Sequence, residues 1–113
     1  MIIKKIDEVI PEIPKMPGTK EVSLKWLITK NDGAPHYAMR VFTIEPGGEI
    51  PVHTHNNMEH EIFIIEGEGI MIDGISEIPV KKGDAILVLP NEKHGFVNNA
   101  DNPFRFICII PII

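Results

Sequence analysis

The amino-acid sequence predicts an all-β protein. Short apolar or alternating runs recur along the chain, and turn signals such as Asn31-Asp32-Gly33 separate them. No segment keeps the 3.6-residue period of an amphipathic helix. Roughly ten short strands of this kind either close into a barrel or pack as a two-sheet jelly roll, because both arrangements hide edge strands.

The N-terminal part is expected to supply an edge element and the first two core strands. Residues 1–10 alternate weakly and predict a short edge strand, and closely spaced prolines in residues 11–20 predict an irregular wrap. Residues 21–29 alternate between apolar and polar side chains, as a half-buried strand does. Residues 36–45 form the next strand. Arg40 within it is interpreted as a surface or rim charge, with the orientation of an anionic substrate as the alternative.

Turn signals divide the rest of the chain. A turn is predicted at Pro46-Gly47-Gly48, and hairpins are predicted at Gly67-Glu68-Gly69 and at Asp73-Gly74. Residues 61–66 are too apolar and too short for anything but a strand covered on both faces. Further strands are predicted at residues 70–73, 75–80, 85–90, 95–99 and 104–113.

Composition and charge exclude several classes of partner. The net charge is −5 and no block of lysines or arginines occurs, so the positive surface that nucleic acids or anionic membranes require is missing. No apolar run approaches the roughly 20 residues that span a bilayer. Charges between Lys4 and Glu8 interrupt any secretory signal, which predicts a cytoplasmic protein with a small-molecule partner. Cys108 is the only cysteine, so no intrachain disulfide can form.

Three of the five histidines are crowded into one stretch, residues 53–60. His53 and His55 are one residue apart, so in a strand both imidazoles emerge on the same face. His60 follows a short excursion and begins a new strand that can return beside the first. His94 begins another strand, and its convergence on the others is a supposition at this point. A lone His-x-His is common by chance, but this crowding favours a site, whereas His36 is interpreted as a solvated residue.

Two segments resemble the motifs of the cupin family. Residues 47–67 have the glycine, His-x-His and glycine of the first cupin motif, with His60 where the motif has a glutamate. Residues 83–98 are similar to the second motif through His94 and Asn98, although its proline falls one place late. The resemblance implies a small single-domain cupin, a jelly-roll (double-stranded β-helix) barrel over residues 1–113, with the edge strand and wrap as N-terminal additions.

The resemblance also implies one divalent transition metal ion per chain inside the barrel. Its ligands would be His53, His55, His60 and His94. Family habit favours Mn or Fe, whereas the order of affinities alone would favour Cu or Zn; Mn is placed first, with Fe, Ni, Zn and Cu as alternatives. Glu59 and Glu61 flank His60, so a slip in register could present a carboxylate instead. His60 is preferred because it keeps the family's spacing to Gly67.

The donor set shapes the predicted chemistry. Four neutral imidazoles leave a divalent ion with its full charge, which makes it a stronger Lewis acid, and remove a carboxylate that could carry protons. The predicted function is oxidation of a small organic substrate with dioxygen or peroxide, by analogy with quercetinase-like dioxygenases. The alternatives are a non-catalytic module that binds a metal or metabolite, and a Lewis-acid enzyme resembling a sugar isomerase.

Alternation along the strands predicts the cavity lining. In the last strand, either Phe106 and its alternate neighbours face inward or the set containing Arg105 does, and the charge of Arg105 favours the first choice. The predicted lining residues are Ile62, Ile64, Phe96, Asn98, Phe106 and Cys108. Cys108 is interpreted as a small buried hydrophobe. The apolar tail ending in Ile112 and Ile113 predicts a homodimer.

Overall fold

A computed structural model describes residues 1–113 and confirms the all-β prediction. Single-turn 3-10 helices lie at Ile6–Glu8 and Lys30–Asp32. The eight strands are β1 (Lys20–Ile28), β2 (Tyr37–His53), β3 (His60–Glu66), β4 (Glu68–Ile72), β5 (Glu77–Lys81), β6 (Ala85–Val88), β7 (His94–Val97) and β8 (Phe104–Pro111). No helix of the structure has the length and apolar character needed to cross a bilayer.

All strand pairs are antiparallel, and β2 organises them. The strands follow the order β5-β4-β7-β2-β8-β3-β6, with β1 paired to β2 as well. Residues 37–44 of β2 pair with β8, and residues 49–53 pair with β7. Because one strand belongs to both halves, the sheet curls around a common interior, which is the predicted jelly-roll barrel.

The predicted turn at Pro46-Gly47-Gly48 is wrong, because β2 runs through it. Gly47 has a φ of 84°, and its amide donates to the carbonyl oxygen of Asn98 at 2.9 Å. The amide of Asn98 donates in return to the carbonyl of Gly48 at 3.0 Å. Glycine bends a long strand as readily as it forms a turn. Here the bend transfers β2 from β8 to β7.

The predicted hairpin at Gly67-Glu68-Gly69 is also wrong. The strand before it, β3, pairs with β6 and β8, whereas β4 pairs with β5 and β7. Gly67, with a φ of 75°, therefore carries the chain from one half of the barrel to the other. The hairpin at Asp73-Gly74 is confirmed, since β4 and β5 pair directly.

The N-terminal segment contains no strand within residues 1–10, so the predicted edge strand is wrong. The irregular wrap is confirmed, and it is fastened to β1 by reciprocal backbone hydrogen bonds between Glu12 and Leu24 of 2.7 and 2.8 Å. At the other end of the chain, Ile112 packs against the core and Ile113 is exposed. The homodimer and the cytoplasmic location stay predictions.

The inward face of β8 is the one that alternation favours. Phe104, Phe106, Cys108 and Ile110 are buried. Arg105 points outward, where its Nε donates to Thr43 Oγ1 at 3.2 Å. The charge of Arg105 therefore predicted the outer face of β8 correctly.

We expect Gly67→Ala to destabilise the fold strongly. A Cβ at Gly67 would lie inside van der Waals contact with the carbonyl oxygen of Pro103, and the positive φ adds strain. Gly83→Ala is the matched control, since Gly83 has a φ of 97° with nothing within 4 Å of the added Cβ. Gly83→Ala should cost about 1 kcal/mol and Gly67→Ala about 2 kcal/mol more, as measured by urea unfolding. Equal losses in the free energy of unfolding for the two variants would contradict the close approach of the Pro103 backbone to Gly67.

Candidate metal centre

The four histidines of the two motifs meet where their strands end at one mouth of the barrel. His53 is the last residue of β2 and is the register partner of His94, the first residue of β7. His60 is the first residue of β3, and His55 lies in the connection between β2 and β3. The supposition that His94 converges on the other three is therefore supported by the fold.

The imidazole rings form a compact cluster, which we call the histidine cluster (His53, His55, His60 and His94). Ring centroids are 4.2 Å apart for His53 and His94, and 4.9 Å apart for His60 and His94. His55 lies 5.1 Å from both His53 and His60. Ligand atoms of His53, His55 and His94 lie within 4.8 Å of one another. The fourth predicted ligand, His60, is not part of this tight group, although its ring adjoins those of His55 and His94.

Backbone carbonyls fix the orientation of two rings. His53 Nδ1 lies 2.7 Å from the carbonyl oxygen of Pro51, and His94 Nδ1 lies 2.9 Å from that of Glu92. A carbonyl oxygen only accepts, so both Nδ1 atoms carry the proton and donate. The Nε2 lone pairs of His53 and His94 are then free to bind a metal ion.

His60 provides the observation that best fits binding of a metal ion. The residue is 4% exposed, and its Nε2 atom is buried without a hydrogen-bond partner. A buried nitrogen of this kind is rarely left unsatisfied, and a metal ion would satisfy it. Glu59 and Glu61 are exposed, so the alternative register that would present a carboxylate is contradicted.

Burial favours the neutral form of His55, His60 and His94. Desolvation, followed by the positive charges of His94 and Arg40, lowers the pKa of His60 to about 3. Burial likewise lowers the pKa values of His94 and His55 below 6.5. Neutral imidazoles retain the lone pairs that a transition metal needs, so the donor set fits a divalent ion such as Zn, Mn or Fe.

The cluster opens into a cavity of about 530 Å³. Ten of its nineteen lining residues are hydrophobic, so the walls offer mainly apolar contact. Four of the six predicted lining residues are among them: Ile62, Phe96, Phe106 and Cys108. Met16 from the N-terminal wrap also lines the cavity, so this segment covers part of the mouth.

Ile64 and Asn98, the other two predicted lining residues, do not line the cavity. Ile64 lies on the inward face but one step deeper, where it is fully buried in the core. Asn98 is a structural residue, because its amide donates to the carbonyls of Ile44 and Asn102 at 2.8 Å each. Its side-chain oxygen accepts from the amide of Ala100 at 3.0 Å.

Arg40 is half-buried and lines the cavity, which fits the alternative interpretation, a cation that faces the ligand space, better than a solvated surface charge. It lies on the same face of β2 as Ala38, Phe42 and Ile44, all of which are buried. Alternation along β2 indicates this inward direction, whereas the charge of the side chain is typical of a surface position. Burial also raises the pKa of the Cys108 thiol, whose Sγ atom contacts both Arg40 and His60.

Comparison with known proteins identifies the family. The Cupin domain family matches residues 40–110, which is more than half of the chain, so the protein belongs to the cupins. It is similar to the polyketide cyclase RemF from Streptomyces resistomycificus, with 34% identity, a TM-score of 0.93, and coverage of 98% of this chain and 79% of that one.

Two further relatives have different descriptions. An oxalate-binding protein from Thermotoga maritima is 28% identical over 99% of this chain and 95% of its own. A sugar phosphate isomerase from Silicibacter pomeroyi has a TM-score of 0.80 at 21% identity, covering 96% of this chain and 74% of that one, and shows the shared fold alone.

We expect the metal-free protein to lose stability as the pH falls below 6.5. Below pH 6.5 the His60 side chain binds a proton in the unfolded chain, whereas in the folded protein it stays neutral until about pH 3. The free energy of unfolding that is present above pH 6.5 is therefore lost as the pH falls from 6.5 towards 3. The loss is at most about 1.4 kcal/mol per pH unit from this residue. Urea unfolding between pH 7 and about pH 4 measures it.

His60→Gln should reduce this pH dependence, because glutamine does not titrate, while His55 and His94 keep their own contributions. His36→Gln is the matched control, since His36 is exposed and lies outside the cluster. The His36 variant should keep the wild-type slope. If His60→Gln keeps it as well, His60 does not carry the predicted effect.

Proposed function

We propose that this cupin holds one divalent metal ion with His53, His55, His60 and His94, and uses it as a Lewis acid on an organic ligand that binds through oxygen atoms. The observation that carries the proposal is the unpartnered, buried Nε2 of His60 at the edge of a mostly apolar cavity. A bound divalent ion would supply polarisation of a carbonyl or phenolic oxygen.

The side chains of the cavity bind and enclose the ligand rather than transfer protons. Burial favours the neutral forms of His55, His60 and His94, whose pKa values are all lowered. The only carboxylate lining the cavity is Glu12, which is exposed on the N-terminal wrap. The apolar walls exclude water, which strengthens electrostatic interactions inside. These features favour carbonyl polarisation, as in cyclisation or isomerisation.

The size of the cavity favours a ligand of one or two rings. A volume of about 530 Å³ falls within the usual range for sites that bind drug-sized molecules, roughly 300–1,000 Å³. Similarity to a protein described as a polyketide cyclase, at 34% identity over 98% of this chain, supports an organic ligand of the polyketide kind. Oxidation by dioxygen or peroxide, predicted from the sequence, would use the same site and stays a prediction.

Binding of a small dicarboxylate without turnover is the second candidate. A relative described as oxalate-binding aligns over 99% of this chain at 28% identity. The positive charge of Arg40 inside the cavity is the specific observation that favours it. Oxalate would leave most of the cavity unfilled, so we place it second.

Metal analysis of protein purified without a histidine tag tests the site itself. We expect one divalent ion per chain, and the analysis also identifies it among Mn, Fe, Ni, Zn and Cu. The double variant His53→Ala/His55→Ala should lose the ion, since two of four donors are gone. His36→Gln is the control and should retain it. A double variant with wild-type metal content would refute the ligand set.

Ligand chemistry separates the candidate functions. We expect the metal-loaded protein to bind and convert aromatic β-diketones with no uptake of dioxygen. Changes in the ultraviolet absorption of the diketones would measure the conversion. Conversion accompanied by oxygen uptake would instead support oxidation. Tight binding of oxalate, with no binding of the aromatic compounds, would support the dicarboxylate module and contradict the Lewis-acid proposal.

A further inference from the structure

Arg40 belongs to a row of side chains that crosses four strands on the cavity side. Trp26 of β1 is the register partner of Arg40 in β2, which is the partner of Cys108 in β8. Cys108 is in turn the partner of Ile62 in β3. Directly opposed residues share a face of a sheet, and all four line the cavity. The barrel therefore holds the guanidinium beside the ligand space.

Neutral groups surround this cation. The guanidinium carbon lies 5.3 Å from the ring centre of Trp26 and 4.9 Å from that of Phe42. One terminal nitrogen donates to Cys108 Sγ at 3.1 Å, and lies 3.4 Å from His60 Nδ1. The Nε atom is buried and has no hydrogen-bond partner.

No carboxylate of the chain neutralises Arg40. The two ion pairs of the structure, Lys4–Asp32 and Lys20–Glu49, do not involve it. Arg40 is half-buried with its Nε atom fully buried, and taking part of a guanidinium out of water is unfavourable unless an opposite charge accompanies it. A divalent ion in the neighbouring cluster would add further positive charge. Glu12, on the exposed N-terminal wrap, is the one carboxylate that lines the cavity, and it forms no ion pair with Arg40, so the guanidinium has no paired counter-charge.

We propose that the ligand supplies this counter-charge: Arg40 binds a carboxylate on a ligand whose other oxygens reach the metal ion. The inference rests on the proposed function for the metal-binding end. An arginine offers several N–H donors in one plane, which match the two oxygens of a carboxylate better than any other side chain does. The substrate class is therefore an aromatic or conjugated acid with separate metal-binding oxygens.

A purely structural role for Arg40 is the competing explanation. Two aromatic rings can stabilise a guanidinium by cation–π contact without any ligand. In that case, substitution would change stability but would not alter the preference of the cavity between charged and neutral ligands. Ligand discrimination, rather than affinity or stability alone, is therefore the decisive measurement.

The test compares 3,4-dihydroxybenzoate with 3,4-dihydroxybenzamide, which share the metal-binding diol and differ in charge. Trp26 is the only tryptophan of the chain and lines the cavity, so its fluorescence reports binding directly. We expect the metal-loaded wild type to bind the benzoate at least about tenfold more tightly, the range of a charge-assisted hydrogen bond. Arg40→Gln should bind both probes alike.

Arg105→Gln is the matched control, because Arg105 is the only other arginine and points away from the cavity. It should keep the wild-type preference. If Arg40→Gln does not fold, Arg40→Met retains the length and apolar contact of the side chain and should likewise bind both probes alike. A preference for the benzoate that survives loss of Arg40 overturns the inference, as does a wild type without preference.

The two proposals fail in different ways. Removing the metal should weaken the binding of both probes, since their diol loses its partner. The preference for the benzoate should persist, because Arg40 still binds the carboxylate. If metal removal leaves both affinities unchanged, the proposed function is wrong but the role of Arg40 stands. If the preference is absent while metal removal weakens both probes, the role of Arg40 is wrong but the metal site stands.

Discussion

The shared pairing of β2 is the constraint on which the site depends. Its first half pairs with β8 and its second half with β7, so a single strand presents Arg40 to the cavity and ends at His53 in the cluster. The bend between the halves is held by the backbone hydrogen bonds of Asn98 and by its fully buried side chain. A barrel corner that fixes one strand thus fixes the distance between the cation and the imidazoles.

The electrostatics of the interior follow from that placement. The cavity contains a permanent positive charge and a group of imidazoles whose protonation is opposed by burial and by one another. Such an interior favours negative ligands, because each added anion is attracted to Arg40 in a medium of low dielectric constant. Hydrogen bonds from His53 and His94 to backbone carbonyls hold their rings in place, so little reorganisation is needed when an ion binds.

Local patterns predicted much of this from sequence. Alternation identified the inward face of β8, and the crowding of His53, His55 and His60 predicted the cluster. The errors concern long-range pairing. Glycine at positions 47 and 67 signals positive φ equally well in a hairpin, a strand bend or a crossover, and only the partners of the flanking strands distinguish these. The charge of Arg40 predicts a surface position, whereas its position along β2 places it on the face of buried neighbours, where it is half-buried.

The histidine at position 60 and the charge of Arg40 are two parts of one arrangement. The family motif has a glutamate there, and His60 Nδ1 lies only 3.4 Å from a terminal nitrogen of Arg40. A carboxylate at that position would be drawn to the guanidinium and would neutralise it, as well as offsetting part of the charge of a metal ion. An imidazole does neither. Replacing the acid therefore strengthens the Lewis acidity expected of the site and, in the same step, leaves the arginine free to bind an anion from outside the chain.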